Sequence, residues 1–541
     1  MNKGKALVVL FTMTLFSVAF GNPAVGSQET FIPPLPGHRQ ITLLGMNGEG
    51  TVESQVATFA AGGPWTPCSS DQISECTEGL PASNMTFALA TAVLPLCDSS
   101  NVGYCVESLE MSASGSPLVK PTYLGEAPGS KFPAQSKYDL PAGGGPLVFR
   151  ASEVTHAGGG DTYAVIASYV LQCSHPSFKC TYNSFYLAVQ PFTNNLNPLD
   201  YKFGERFDFL DGTRVKVSLQ IPNDAANWFS GRLHNPNLEV SPLQAKSGFS
   251  KLTLDAQSLS INRLSVNVPS TITTPQMAAL NMTPDLNAGI ESGFDTAVSW
   301  VEELRPFAND TATGQINVWQ LKSIRVPNQQ CYQTGQINGL VTTNAVGYSW
   351  NPPDFENGYL NYKVAGMHFN KDKTVAIGTY NLIMRSEVAR CLYGFSSAPV
   401  SATVQVVGTD GSDDSIATSV TSEKDGWLKL AAYGFTFSEK EIRVKLTQPY
   451  SGTLTKFAGT TKTLSSRQKT EIKAAVSQSN SNPKFICTGT YVKPSDKAIA
   501  LSRAKAVCNY AKGIDKNHSF FAQAKQTKAA SYDGKVLISS K

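Results

Sequence analysis

The side chains numerous and regular enough to carry a definite chemistry are ten cysteines: Cys68, Cys76, Cys97, Cys105, Cys173, Cys180, Cys331, Cys391, Cys487 and Cys508. A metal reading needs CxxC-type spacing or clustered histidines, and neither is present. An even count that falls into sequence neighbours reads as oxidative pairing. The natural pairs are 68–76, 97–105, 173–180, 331–391 and 487–508, because short loops close most readily. Among the first four cysteines other connectivities stay open.

Acid–base and nucleophilic chemistry has less to work with. The histidines, His38, His156, His175, His234, His368 and His518, form no HExxH, and no two stand at metal-ligand spacing. The sequence has no GxSxG elbow, no Walker loop and no GxGxxG leading into a helix. Gly143–Gly145 and Gly158–Gly160 read as loop or hairpin glycines. Asp410, Asp413 and Asp414 lack the spacing and the bidentate Glu of a Ca²⁺ loop, and read as an acidic turn. Glu302 and Glu303 are adjacent, so on a helix they diverge, whereas a glycosidase needs facing carboxyls roughly 5–9 Å apart. Trp65, Trp228, Trp350 and Trp427 could stack on sugars, and Arg232 beside aromatics could read a carbohydrate. Core packing is the favoured reading of the tryptophans and a structural turn that of Arg232. No catalytic set, cofactor or metal is expected.

The elements that must position these residues are mostly strands. Asp161–Leu171 and Ser184–Val189 alternate or run apolar on either side of the Cys173–Cys180 loop, which predicts a hairpin with a disulfide across its mouth. Arg214–Ile221, Leu252–Leu254 and Ile261–Val268 continue the period-two pattern. Lys120–Gly145 is dense in Pro and Gly and reads as irregular loop. Pro275–Leu304 has helical stretches, Met277–Met282 and Ile290–Leu304, weakened by Gly293 and β-branched residues. Residues 328–450 alternate again, with Cys391 opening a strand, and predict an immunoglobulin-like or similar β-sandwich.

Oxidised cysteines imply an oxidising compartment, and the N-terminus agrees. Lys3 and Lys5 precede the apolar run Ala6–Phe20, and small residues follow, which reads as a secretory signal over residues 1–26. No later stretch approaches that apolar length, so no membrane span is expected in the mature chain. Hydrophobic residues make up 41% and charged residues 16% of the 541, which excludes a wholly disordered or coiled-coil chain. The length suits three or four domains. The expected division is 27–270, a β-rich region; 271–327, a mixed helix and strand connector; 328–450, the disulfide-closed sandwich; and 461–541, an α/β module.

That last module is distinct. Ser465–Ser477 and Ser495–Lys512 read as helices, with Ser465 or Ser466 and Ser495 as N-caps and Gly513 as a stop. Strands are expected at Lys484–Val492, Ser519–Ala524 and Lys535–Ile538, giving the order α-β-α-β-β of an open sandwich. The segment has 15 Lys+Arg against 4 Asp+Glu, a net of +11, while the rest of the chain carries 30 against 37, a net of −7. Such a surface is drawn to polyanions in a salt-dependent way. Export, and the absence of aromatics interleaved on the basic helix, count against nucleic acid.

Phe485-Ile-Cys-Thr-Gly-Thr-Tyr491, followed by Ala500-Leu-Ser-Arg-Ala-Lys-Ala-Val-Cys-Asn-Tyr510, resembles the core of the OmpA-like peptidoglycan-associating domain. In that family a strand ending Gly-x-Thr-Asp leads to a helix with an Arg-Ala pair, and the Asp and Arg hold the diaminopimelate side chain of peptidoglycan. Gly489 and Arg503-Ala504 match; the Asp does not, since Tyr491 or Val492 stands there and Asp496 is the nearest carboxylate. The resemblance implies that Arg503, Asp496 and Gly489 form a wall contact. Ala389-Arg-Cys-Leu-Tyr-Gly394 and Asp425-Gly-Trp-Leu428 resemble segments of secreted actinobacterial proteins of unassigned function. Together these features lead us to expect a mainly β, multi-domain, non-enzymatic protein of the cell envelope, secreted or wall-associated. Its β modules would be displayed outward, and its basic OmpA-like module would meet peptidoglycan or an anionic glycopolymer. The alternatives are a secreted hydrolase of wall or external polysaccharide, and a self-associating adhesive or structural surface protein.

Overall fold

The computed structural model describes residues 36–540 apart from 44–53, 61–64, 68–84, 128, 175–176, 193–206, 224–226, 280–287, 291–296, 325–330, 333–334, 350, 396–400, 409–412, 415–417, 438–439, 448–449, 480–483 and 517. The expected signal segment, the Cys68–Cys76 pair, His175 and Asp410 lie outside the described residues. Strands account for 51% of the chain and helices for 16%, so the fold is mainly β with several sheets.

A 16-stranded sheet forms the frame. Its central hairpin, Thr162–Ser174 with Lys179–Phe192, pairs Cys173 directly opposite Cys180, and the two are disulfide-bonded. From there the ladder runs through Gly314–Ile324 to Trp228–Arg232, which pairs in parallel with Gly339–Thr343, and on to Ile377–Arg385 and Trp427–Thr436. Strand pairing therefore crosses residue 328, and four strands of 328–450, Gly339–Thr343, Ile377–Arg385, Thr418–Lys424 and Trp427–Thr436, share the frame sheet with strands from the N-terminal half.

Two smaller sheets cover this frame on opposite faces. The four strands His234–Pro242, Phe249–Gln257, Arg214–Pro222 and Cys105–Ser112 pack on one face through Leu109, Val217, Leu219 and Leu254. A six-stranded sheet including Tyr359–Ala365, Lys440–Thr447 and Ser401–Gly408 packs on the other through Tyr362, Val404 and Val444. Successive residues of a strand point to opposite faces. Leu340 and Ile383 accordingly enter the first core, while Val341, Leu382 and Met384 enter the second. Strands buried on both sides must be apolar at nearly every position, which explains runs such as Leu382-Ile-Met384.

Several local expectations are corrected. Cys391 lies in the helix Ser386–Tyr393, not at a strand start; Val388 and Ala389 are buried on one side, and Gly394 stops the helix at φ 67°. Thr122–Glu126, inside the expected loop, pairs with Leu147–Arg150. Ile290 belongs to the short strand Ala288–Ile290, in parallel with Leu43, and among the described residues of that stretch the helices are Pro275–Ala279 and Ala297–Leu304.

The C-terminal unit contains the helices Ser466–Gln478 and Lys497–Ile514 and the sheet order Tyr450–Thr453, Val536–Ser540, Lys484–Tyr491, Ser519–Gln526. Only the last two strands pair in parallel. Ser465 caps the first helix through a capping box with Gln468. Ser495 does not cap the second: the chain enters by a 3-10 turn, Pro494–Asp496, and Asp496 makes no side-chain cap bond. Gly513 lies within that helix, not beyond it. The Cys487–Cys508 disulfide ties strand to helix inside a core of Phe485, Val507, Ala511 and Ile538.

Candidate functional site

The basic module owes its surface to the way its few carboxylates are engaged. Glu471 accepts from the Thr455 amide (2.8 Å) and hydroxyl (2.6 Å) and from the Arg467 Nε (3.2 Å). Asp496 accepts from the Ser495 hydroxyl at 3.2 Å, Asp515 lies 3.3 Å from the His518 Nδ1, and Asp533 accepts from the Val492 amide at 3.1 Å. Among the described residues, no lysine of residues 461–540 stands in an ion pair, and eleven of them are exposed. On the helix Lys497–Ile514, the exposed Lys497, Lys505 and Lys512 are 8 and 7 residues apart. At 3.6 residues per turn that spacing keeps them on one face, spread over about 80° of the helix. Lys469 and Lys473 form an i,i+4 pair on the neighbouring helix. The result is a positively charged shell over a neutral core.

The three residues singled out by the resemblance occupy different environments. Gly489 is buried where its strand crosses the second helix; a Cβ there would stand 1.9 Å from the Ala500 carbonyl oxygen. Glycine is required for that close approach. Arg503 is only 4% exposed. Its Nε donates to the Thr461 carbonyl at 2.9 Å, its Nη2 donates to the Gly459 carbonyl, and its guanidinium lies 5.1 Å over the Phe457 ring. Burial pulls its pKa below the usual arginine value, and the charges of Asp533 and Asp496 oppose that. Asp496 is half-exposed at the helix start. Sequence reasoning missed Asp533, about 40 residues downstream. Its carboxylate sits on the amide of Val492, one of the two positions where the family's Asp was sought; the Asp-Gly turn at 533–534 was the available signal.

Other candidates resolve into structure. Trp228 and Arg232 are wholly buried in the frame sheet and unavailable to a sugar. Trp427 is half-exposed, with the Arg385 guanidinium 4.9 Å above its ring. Glu303 accepts from the Gln276 amide at 3.3 Å. His156 is buried, stacked on Phe207 and accepting from the Gly158 amide at 3.1 Å; His368 pairs with Asp310. Among the described residues, no group of three or more His, Cys, Asp or Glu could hold a metal ion, and no helix is long and apolar enough to cross a membrane. Four disulfides, Cys97–Cys105, Cys173–Cys180, Cys331–Cys391 and Cys487–Cys508, are formed.

Comparison with protein-family models, with curated proteins and with solved structures found no match.

Proposed function

We propose that this is a secreted, non-enzymatic protein of the cell envelope that associates with the wall through its basic C-terminal module. The observation that supports the reading most is the lysine shell, because the four carboxylates of the module are engaged by groups other than lysine. A polyanion, whether an anionic glycopolymer or the carboxylates of peptidoglycan, meets charge that no internal partner neutralises. Arg503 acts as a positioning residue that holds the 457–461 loop, with Asp533 and Asp496 as the carboxylates in its field. The β modules are the outward-facing part. The disulfides agree with an oxidising compartment.

Co-sedimentation of the full-length protein with purified wall sacculi tests this. The bound fraction should fall steeply between low and physiological salt, and a Lys497→Gln, Lys505→Gln, Lys512→Gln variant should shift the curve to lower salt. Protein that stays in the supernatant at low salt refutes the proposal.

A further inference from the structure

Where the edge strand His234–Pro242 of the four-stranded sheet begins over the frame sheet, polar side chains from distant parts of the chain meet. The Lys429 Nζ donates to Asn235 Oδ1 at 2.8 Å. The His234 ring lies 6.0 Å, centroid to centroid, from the Tyr433 ring, inclined at 59°. The Tyr433 hydroxyl donates to Asn381 Oδ1 at 2.7 Å, and Asn381 is itself buried and donates to the Thr342 hydroxyl at 3.3 Å. Asn235 takes up a left-handed backbone conformation, φ 46°, which non-glycine residues adopt at a cost. His234, Lys429 and Tyr433 are all half-buried.

The charges here are one-sided. On the Trp427–Thr436 strand, Trp427, Lys429, Ala431 and Tyr433 share a face, and their partners Arg385, Ile383, Asn381 and Thr379 line it opposite. The neighbouring strand adds Lys424 and Ser422 to that face. No carboxylate stands among them. Glu387 lies 3.9 Å from Arg385 at the far end of the row. Burial lowers the pKa of Lys429; burial, then the charge of Lys429, lowers that of His234. Half-burying two cationisable groups side by side without a counter-charge is unfavourable unless something supplies one.

We propose that this seam is an oxyanion-binding site, in which Lys429 and His234 supply charge and Tyr433 an aromatic wall, for a carboxylate, phosphate or sulfate group of an external sugar or polymer. The site is independent of the C-terminal module and of the wall reading.

The test is a titration of the His234 imidazole by NMR in the full-length, ¹³C-histidine-labelled protein, with His234→Gln to assign the signal. Inorganic phosphate, sulfate and galacturonate are added separately, at constant ionic strength made up with chloride. At least one should raise the His234 pKa by about one unit, since an opposite charge within contact range favours the protonated ring. Which probe acts separates a phosphate or sulfate source from a uronate. Lys429→Arg should keep the shift, and Lys429→Met, which preserves the stem, should abolish it. An unchanged titration of the parent protein with all three probes overturns the proposal, as does a shift retained in a folded Lys429→Met variant.

Discussion

Arg232 offers the sharpest test of how the frame is held together. It is wholly buried at the end of the Trp228–Arg232 strand. Its Nη1 donates to the carbonyls of Thr343 (2.7 Å) and Ala345 (2.5 Å), its Nη2 to that of Val346 (3.2 Å), and the guanidinium lies 4.4 Å over the Tyr348 ring. The fork thus fixes the chain as it leaves the parallel strand Gly339–Thr343 and turns into the six-stranded sheet. Replacing it by methionine keeps much of the stem volume but removes three charge-assisted bonds, each worth about 1.5–3 kcal/mol, or roughly 4.5–9 kcal/mol together. Against this, the variant no longer desolvates a cation, a penalty of several kcal/mol. The balance is a loss of about 3 kcal/mol, a large share of the roughly 5–15 kcal/mol by which a domain is stable. Equilibrium unfolding in guanidinium under oxidising conditions, followed by tryptophan fluorescence, reads this as a lower midpoint. A methionine variant within about 0.5 kcal/mol of the parent would refute the reasoning, because desolvation would then cancel everything the fork contributes.

Other expectations follow from single features. Replacing Cys331 and Cys391 by serine opens a 60-residue separation and should cost about 4 kcal/mol in the chain-entropy model, against about 3 kcal/mol for Cys487 and Cys508 at a separation of 21; limited proteolysis at matched temperature ranks the two. Gly489→Ala should cost at least about 3 kcal/mol, because its Cβ meets backbone and not a flexible side chain. In the same helix unit Gly513→Ala meets nothing within 4 Å and should instead stabilise by about 1 kcal/mol; thermal melts of the pair separate the two effects. Burial lowers the pKa of His156, so the unfolded chain binds its proton first as pH falls. Stability should be intact above about pH 6.5 and decline as pH drops from there through the lower folded value, and His156→Gln should flatten the decline.

Much of the local structure was legible because it is written in short periods. The alternation of Arg214–Pro222, the hairpin around Cys173 and Cys180, and the Ser465–Gln468 cap each follow from residues a few positions apart. What escaped depends on long-range pairing. Nothing near Trp228 announces a parallel partner at Gly339, so the continuity of the frame across residue 328 had no local signal. The helix at Cys391 escaped because eight residues barely establish a helical period and the strands around it suggested another. The same limit applies to sites. The basic excess of the C-terminal module was visible in composition, but the burial of Arg503 was not. The seam joins His234 to Lys429 across 195 positions, and Asp533 reaches the Val492 amide from 41 positions away.

The chain's charge asymmetry has one obvious rival use. The N-terminal 460 residues carry a net −7, and a basic module could fold back onto its own acidic neighbours instead of meeting an external polyanion. The ion pairs argue against this. Before residue 450 five of the acidic side chains sit in close pairs, local or across strands: Asp255 with Arg214, Glu110 with Lys216, Glu107 with Lys251, Glu423 with Arg390 and Glu441 with Arg443. Such close pairs project little field beyond the roughly 8 Å Debye length of physiological salt. The lysines of the C-terminal helices have no such partners among the described residues, so their field is additive along the stripe. A dense polyanion engages several of them at once, whereas scattered carboxylates engage them one at a time. Attraction to the chain's own acidic half should therefore vanish at moderate salt before attraction to a polymer does, and the salt at which sacculi release the protein separates the two.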